Sequence, residues 1–546
     1  MALIDRRIGV LFIAFVALLG IALARATYLG SVRASSLERA AATQQVSKVT
    51  VPAPRGAITD RNGAELAISQ SADDIVADPY LIKDPVSVSA ELSAALGMPR
   101  LTVLGRITKR HTGYVLLAHL VSSGRAAAIA SLHIAGINLV PQMRRVYPRG
   151  SEAAQVVGGV HGDGTGSSGI EYQFNNVLEG TNGLRRIVSD AIGQAISIDD
   201  PRPTDPGKTV ALTIDSGLQQ EVERVLGQVG STYSPKSATA IAVNPTNGAI
   251  LALANWRSAA ADSSAGPDDL AIGLNYEPGS TFKAITVAGA LQDGLVTPST
   301  PFDIPPVLQV ADRQIHDAED HGYETLNVAN ILKYSSNIGA DLIGMKLGAP
   351  RFNYWVRRFG FGSKTGVDLP GEQSGIVLRL SQYSGSSMAN LPFGQGESVT
   401  PMQMVAAYDA IANGGILRPP HVVQSVGGKP QALPPGHRII SSTTASELRG
   451  MLRGVFADGG TASGAEIRGY DMAGKTGTAN IAIDGHYSDS AYVASFIGMV
   501  PTDHPRLLVA VVVNQPQGSI YGGSVAAPAF QQIVGWAVPY LGLPPH

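Results

Sequence analysis

A chain of 546 residues is too long for a single hydrophobic core and predicts two to four domains. With 41 Lys and Arg against 43 Asp and Glu, the net charge of -2 argues against a nucleic-acid partner held by phosphate neutralisation. Cysteine is absent, which excludes disulfides, a thiolate nucleophile and Cys-ligated metals.

The chain opens with Arg6-Arg7 and then an unbroken apolar run from Ile8 to Ala24, about 17 residues and long enough as a helix to cross a bilayer. With the arginine pair retained inside, the remainder lies outside the cytoplasm. Ala22-Leu23-Ala24 and Ala24-Arg25-Ala26 offer a cleaved signal peptide as the rival, but the run exceeds a usual signal core and Arg25 sits within the cleavage region. Ala34 to Ser47 predicts a helical stalk, broken by Pro52 and Pro54. Pro54 to Ala67 predicts a β-hairpin turning at Asn62-Gly63. Helices are expected over Pro85 to Leu96 and Ser122 to Leu132, and Arg144 to Pro148 closes a first lobe. Gly162 to Gly169 contains a G-x-G-x-x-G match without a surrounding βαβ unit, so it predicts a loop before a helix over Ile170 to Leu178. Asp199 to Lys208, with three prolines and no periodicity, predicts the interdomain linker.

Beyond it come a short strand, Val210 to Ile214, a helix, Ser216 to Val229, and a second hairpin of Ala238 to Val243 and Ala249 to Leu253. Helices are expected after Pro278-Gly279, at Val328 to Leu332, at Met402 to Asn413 and at Thr443 to Phe456. Ala473 to Ile483, Ala491 to Val500 and Arg506 to Val513 predict adjacent antiparallel strands, and Val525 to Val538 a closing helix. Strands, a mostly helical insert, then strands and a helix predict one antiparallel sheet covered on both faces.

Three short motifs carry the chemistry. Ser280-Thr281-Phe282-Lys283 places a hydroxyl and an amine three residues apart, hence on one helical face, where the amine can take the hydroxyl's proton. Alone, such a pattern is more often an N-cap and a solvated lysine. Ser335-Ser336-Asn337 and Lys475-Thr476-Gly477-Thr478 follow in the order of the S-x-x-K, S-x-N and K-T-G set of penicillin-recognising serine proteins, with Ser336 where Asp is often found. Gly469 to Thr476 also fits a phosphate-binding loop, but the residues after Lys475 read as a strand instead of a helix. His316 and His321 lie among carboxylates in a polar loop without helical spacing, which predicts solvated side chains; no metal and no cofactor are expected.

On these motifs, together with Arg55-Gly56, Asp60-Arg61-Asn62-Gly63 and Tyr521-Gly522-Gly523, the chain resembles a class B penicillin-binding protein over nearly its whole length. Phe359-Gly360-Phe361-Gly362, Thr365 to Glu372 and Phe393 to Pro401 resemble the septal, cell-division subgroup more than the elongation subgroup. The resemblance implies an α+β multidomain protein: a cytoplasmic tail and single transmembrane helix at 1–28, an elongated pedestal of dimerisation type at 29–205, and a penicillin-recognising serine transpeptidase domain at 206–546. It implies peptidoglycan D,D-transpeptidase activity outside the bacterial cell membrane, inhibition by β-lactams, a multi-span lipid-linked glycan polymerase as partner, and other membrane proteins of the division machinery.

Ser280 is then the nucleophile and Lys283 the base. Lowering a lysine from ~10.4 to about 7 requires ~4.6 kcal/mol, shared between desolvation and a second cation, Lys475, acting as a fixed charge. Ser335 relays a proton to the departing amine, and Asn337 orients Lys283 or the substrate amide. By resemblance, the backbone N-H groups of Ser280 and Thr478 form the oxyanion hole. Thr476 and Thr478 with Lys475 hold the terminal carboxylate, beside Gly477. The competing readings are a D,D-carboxypeptidase or β-lactamase, a non-enzymatic β-lactam sensor, and a division scaffold with a vestigial site.

Overall fold

The computed structural model describes residues 2–34, 46–109, 111–189, 195–259, 269–483 and 485–545. The expected stalk falls largely outside these residues, and at its end Val46–Val51 is a strand. The described chain packs as two compact units, each discontinuous in sequence. The first comprises Met1–Arg55, Gln70–Arg144 and Glu179–Gly207, and the second Gly56–Ser69, Arg145–Leu178 and Lys208–His546.

In the first unit, Ala2–Ser31 is one helix, and Arg6–Ser31 within it is long and apolar enough to cross a membrane. Its apolar side chains, Ile8 to Leu23, are exposed instead of packed on protein. A three-stranded antiparallel sheet has the order Val46–Val51, Gly183–Ser189, Ala195–Arg202. The expected linker therefore begins as an edge strand: Pro201 is tolerated there because an outer edge needs no ladder donor, and Arg185 pairs with Asp200 at 2.8 Å. Residues 72–77 pair with Val115–Ser122 under a small helical core of Leu92, Val103 and Ile129. Pro85–Leu96 forms where expected, with the Asp84 carboxylate accepting from Val86 N and Ser87 N and left-handed Gly97 ending it. Arg100–Ile107, a helix with only two buried residues, left too weak a periodic signal to be predicted.

The second unit is built on a five-stranded antiparallel sheet. Its strands are β1 (Ser237–Asn244), β2 (Ala249–Arg257), β3 (Ala473–Ile483), β4 (His486–Val500) and β5 (Leu507–Asn514), in the order β2-β1-β5-β4-β3. On β5, Val509, Val511 and Val513 enter one core while Leu508, Ala510 and Val512 enter the other. Burial on both faces is why these strands read as continuous apolar runs instead of alternating ones. One face is covered by α1 (Ser216–Tyr233) and the closing helix Gly522–Tyr540, whose Phe530 packs at a tilt against Phe496, ring centroids 4.8 Å apart. Against the other face lie α2 (Lys283–Gln292), α3 (Val328–Tyr334), α4 (Asn337–Leu347), α5 (Pro401–Ala412) and α6 (Ser442–Arg453). From Lys283 to Leu291 every residue of α2 is buried, the signature of a helix surrounded by protein.

The expected hairpin at 54–67 is present as Ile58–Thr59 paired with the start of Glu65–Ala77, and it belongs to this second unit. Ile58, Leu66, Val156, Ile170 and Leu178 share one core with Val210 and Leu212, so hydrophobic contact, not chain order, sets the division. Beyond forming the turn, Asp60 accepts from Ser216 N at the start of α1, at 3.3 Å.

Candidate active site

Gly279–Phe282 is a 3-10 turn, and the α-helix begins only at Lys283. Three residues per turn eclipse positions i and i+3, so Ser280 stands directly above Lys283. The turn is fixed from three directions. Thr281 Oγ1 donates to Pro278 O at 2.7 Å, Tyr408 of α5 donates its hydroxyl proton to Thr281 O at 2.7 Å, and Gly279 N donates to Gly394 O at 2.9 Å. A Cβ on Gly394 would lie 2.2 Å from Gly279 O, so the segment 393–401 has to carry glycine where it backs the turn. Phe282 anchors the far side against Phe361, ring centroids 5.0 Å apart.

Ser335 and Asn337 arrive at the break between α3 and α4. Ser335 takes a left-handed backbone conformation, φ 63°, at the end of α3; Ser336 caps α4 by accepting from Gly339 N at 2.9 Å. The conformation is uncommon for a residue with a side chain and costs on the order of 1 kcal/mol. Its result is that the Ser335 carbonyl and hydroxyl both face the same amine. Lys283 Nζ donates to both of them, at 3.3 Å to Ser335 Oγ, and to Asn337 Oδ1 at 2.7 Å.

From the opposite wall, edge strand β3 brings Lys475, whose Nζ donates to the same Ser335 Oγ at 2.8 Å. The two amines are therefore no more than about 6 Å apart, where two charges at an effective dielectric near 20 repel by ~3 kcal/mol. Both lysines are 0% exposed. Burial pushes Lys283 down to about 7, while Asp317 and Asp341 pull it upward. Burial and then the neighbouring Lys283 push Lys475 well below the usual lysine range. The two amines repel each other across the shared hydroxyl, and Asp317 and Asp341 act on Lys283 in the opposite sense. Ser335 Oγ accepts from both amines and keeps its own proton free to donate.

Ser280, Asn337 and Thr478 line one cavity of about 460 Å³ with Arg313, Gln395 and Tyr487, and among the described residues no carboxylate lines it. Thr476 Oγ1 shares a hydrogen bond with Thr461 Oγ1 at 2.8 Å, and Thr478 Oγ1 accepts from Gly522 N at 3.0 Å. Gly477 has a structural reason of its own. A Cβ there would meet Ser495 Oγ at 2.3 Å and Pro278 O and Thr281 Cγ2 at 3.0 Å, so its bareness lets the Ser280 turn press against β3.

His316 is exposed as expected and His321 only partly so, while the same loop brings a carboxylate and a carbonyl into the site. Asp317 accepts from Ser336 Oγ at 2.7 Å, Ile338 N at 3.0 Å and Asn337 N, satisfying free donors at the start of α4. His316 O accepts from Asn337 Nδ2 at 2.9 Å, which fixes the amide so that its oxygen faces Lys283. His321, mostly buried, contacts Asp317 at 3.2 Å. Sequence spacing could not find this role, because it runs through backbone amides some twenty residues away.

Paired buried amines beneath a serine turn, joined through one hydroxyl and facing an edge strand, are the working parts of a serine acyl-transfer site, and that is the class the fold and geometry define. The penicillin-binding protein transpeptidase domain profile matches residues 238–535, and the penicillin-binding protein dimerisation domain profile matches residues 50–212. The chain belongs to the penicillin-binding protein transpeptidase family. It is 34% identical to the stage V sporulation protein D of Bacillus subtilis, over 90% of this chain and 79% of that one. It is 32% identical to the peptidoglycan D,D-transpeptidase FtsI of Escherichia coli K12, over 93% and 86% of the two chains. Among solved structures it is similar to penicillin-binding protein 3 of Mycobacterium tuberculosis complexed with aztreonam, with TM-score 0.70 and 29% identity over 91% of this chain and 98% of that one.

Proposed function

We propose that this protein cross-links peptidoglycan stem peptides during septal wall synthesis, as a D,D-transpeptidase working through an acyl-enzyme on Ser280. The observation that carries this reading is the single hydroxyl of Ser335 held by both Lys283 and Lys475 beside a cavity lined by Ser280 and Thr478. Lys283 near pKa 7 is substantially neutral at neutral pH and takes the Ser280 proton as its oxygen attacks the penultimate D-Ala carbonyl. In the free site its contacts all go to Ser335 and Asn337, so one of them is exchanged for Ser280 as substrate enters. The N-H groups of Ser280 and Thr478 receive the oxyanion. Ser335 passes a proton to the departing D-Ala amine, and the ester then moves to an amine of a neighbouring strand.

Thr476, Thr478 and Lys475 hold the substrate's terminal carboxylate. Its negative charge opposes the burial and repulsion that push Lys475 down, so bound substrate favours the charged form of this lysine. In this reading 1–28 anchors the chain in the cell membrane with the catalytic domain outside. The region 29–205 serves as a pedestal, 206–546 carries the chemistry, and a multi-span glycan polymerase with other division proteins supplies nascent strands. A fluorescent penicillin is expected to label Ser280, located by mass spectrometry, and Ser280→Ala to abolish the label without loss of fold. Persistent labelling of that variant would overturn the assignment, and rapid multiple turnover of a chromogenic cephalosporin would convert the reading to a hydrolase.

A further inference from the structure

Behind the lysine pair lies an acid that the scheme above does not use. Asp341 is on α4, four residues after Asn337, and positions i and i+4 share one helical face. That face meets α2, since Asn337 accepts from Lys283 Nζ at 2.7 Å. Asp341 is 0% exposed, and both of its carboxylate oxygens are buried without a hydrogen-bond partner. No cation lies within 4 Å of it among the described residues. A buried carboxylate with neither donor nor paired cation is costly, and such a group relieves the cost by holding a proton. The charged groups that act on it are Lys283 of α2, which favours its ionised form, and Asp317 of the preceding loop, which disfavours it. Reciprocally, an ionised Asp341 draws a proton onto Lys283.

We propose that Asp341 is a positioning acid of the serine site, a proton store that acts through Lys283 and sets the pH at which that amine becomes a base. The exchange is balanced: a carboxyl and a neutral amine on one side, a carboxylate and an ammonium on the other, with one proton moved and no net charge gained. In the first state Lys283 can accept the Ser280 proton; in the second it cannot. Burial opposes the ion pair and pushes Asp341 up to about 8, while the attraction between Asp341 and Lys283 favours it, so the two states compete and removing the carboxyl abolishes the unreactive one. Lys475 lies on the other side of Ser335 and adds its repulsion to the same balance.

The proposal rests on the reading of Lys283 as the base for Ser280, and the test separates the two. The second-order rate of Ser280 acylation by a fluorescent penicillin is measured with the full chain in detergent from about pH 5 to 10, for wild type, Asp341→Asn and Asp341→Ser. Without the carboxyl, Lys283 loses its upward pull, and the acidic limb is expected to move to lower pH by at least about half a unit, with the plateau largely kept. Limbs that overlay, or a plateau that falls without any shift of the midpoint, would reduce Asp341 to a structural residue and overturn the proposal. Absence of a Ser280 adduct in wild type would instead sink the underlying assignment. Should both variants fail to fold, infrared difference spectra of wild type across the same range decide the matter. A buried protonated carboxyl band present at neutral pH and lost on the alkaline side is expected, and its absence at neutral pH overturns the proposal.

Discussion

The two walls of the cleft are built on opposite principles. The helical wall of Ser280, Lys283, Ser335 and Asn337 is strained and charge-compensated: Ser335 is left-handed, Asp317 ties down the start of α4, and Asp317 and Asp341 both act on Lys283. The strand wall of Lys475 to Thr478 is regular β-ladder from Ala473↔Met499 to Asn480↔Tyr492, and among the described residues no acid acts on its lysine. One wall gathers hydroxyls and an amine into a single hydrogen-bonded network, and the other is a regular rail of donors that, in the proposed reaction, meets the substrate carboxylate. Two lysines of equal burial therefore have different chemistry because of what stands behind each.

That contrast is tested most severely by Lys283→Met. Removing the proposed base from the helical wall is expected to lower acylation by about a thousandfold or more, measured by penicillin labelling kinetics. The same variant carries a stability signature. The Lys283 pKa is depressed in the folded state, so below about 7 folding must keep a buried ammonium, and between about 7 and 10.5 it releases the proton that the unfolded chain retains. Wild-type stability thus gains from this group as pH rises through that window. Lys283→Met is expected to exceed wild type in Tm by more at pH 6 than at pH 9, each value checked by calorimetry.

A smaller effect belongs to the support of that wall. Asp317→Ala frees the donors of Ser336, Asn337 and Ile338, and is expected to cost about 2 kcal/mol in chemical denaturation. Acylation should fall on the order of a hundredfold as Asn337 and Ser335 lose their places. The strand wall is probed by Gly477→Ala, whose new methyl would meet Ser495 Oγ and Pro278 O. Overpacking of this kind costs about 1 to 3 kcal/mol and should slow acylation roughly tenfold by pushing the nucleophile turn off β3. The least change is expected from Thr461→Val, which removes one hydroxyl contact to Thr476; about 1 kcal/mol and a few-fold rise in substrate KM would show the rail to be tolerant. A Thr461→Val loss as large as that of Asp317→Ala would erase the distinction between the walls.

What could be read from the sequence follows the same line. Local signals located the parts whose identity is carried by their own side chains. Ala473 to Ile483 forms a strand with those bounds, and Pro85 to Leu96 a helix with those bounds. The residues of the three motifs that touch are brought together through Ser335 Oγ. Parts whose work is done by contact across the fold left no local trace. Asp317 sits in a polar loop and acts on amides of another element; Gly394 and Gly477 are bare because a distant backbone approaches them; Asp341 looks like one more helical residue until its burial is known. The strand at Ala195–Arg202 is masked in the sequence by Pro201 and the prolines that follow it, and an edge position accommodates Pro201.

The left-handed bend at Ser335 has a consequence for how this enzyme can vary under drug pressure. Glycine would relax the bend but delete the hydroxyl that both amines share, and alanine would keep the strain while deleting it as well. A lineage selected for weaker β-lactam capture is therefore expected to leave this position alone and to change the cavity rim at residues such as Arg313 and Gln395, whose replacement alters the fit of the drug without dismantling the machinery that wall growth requires.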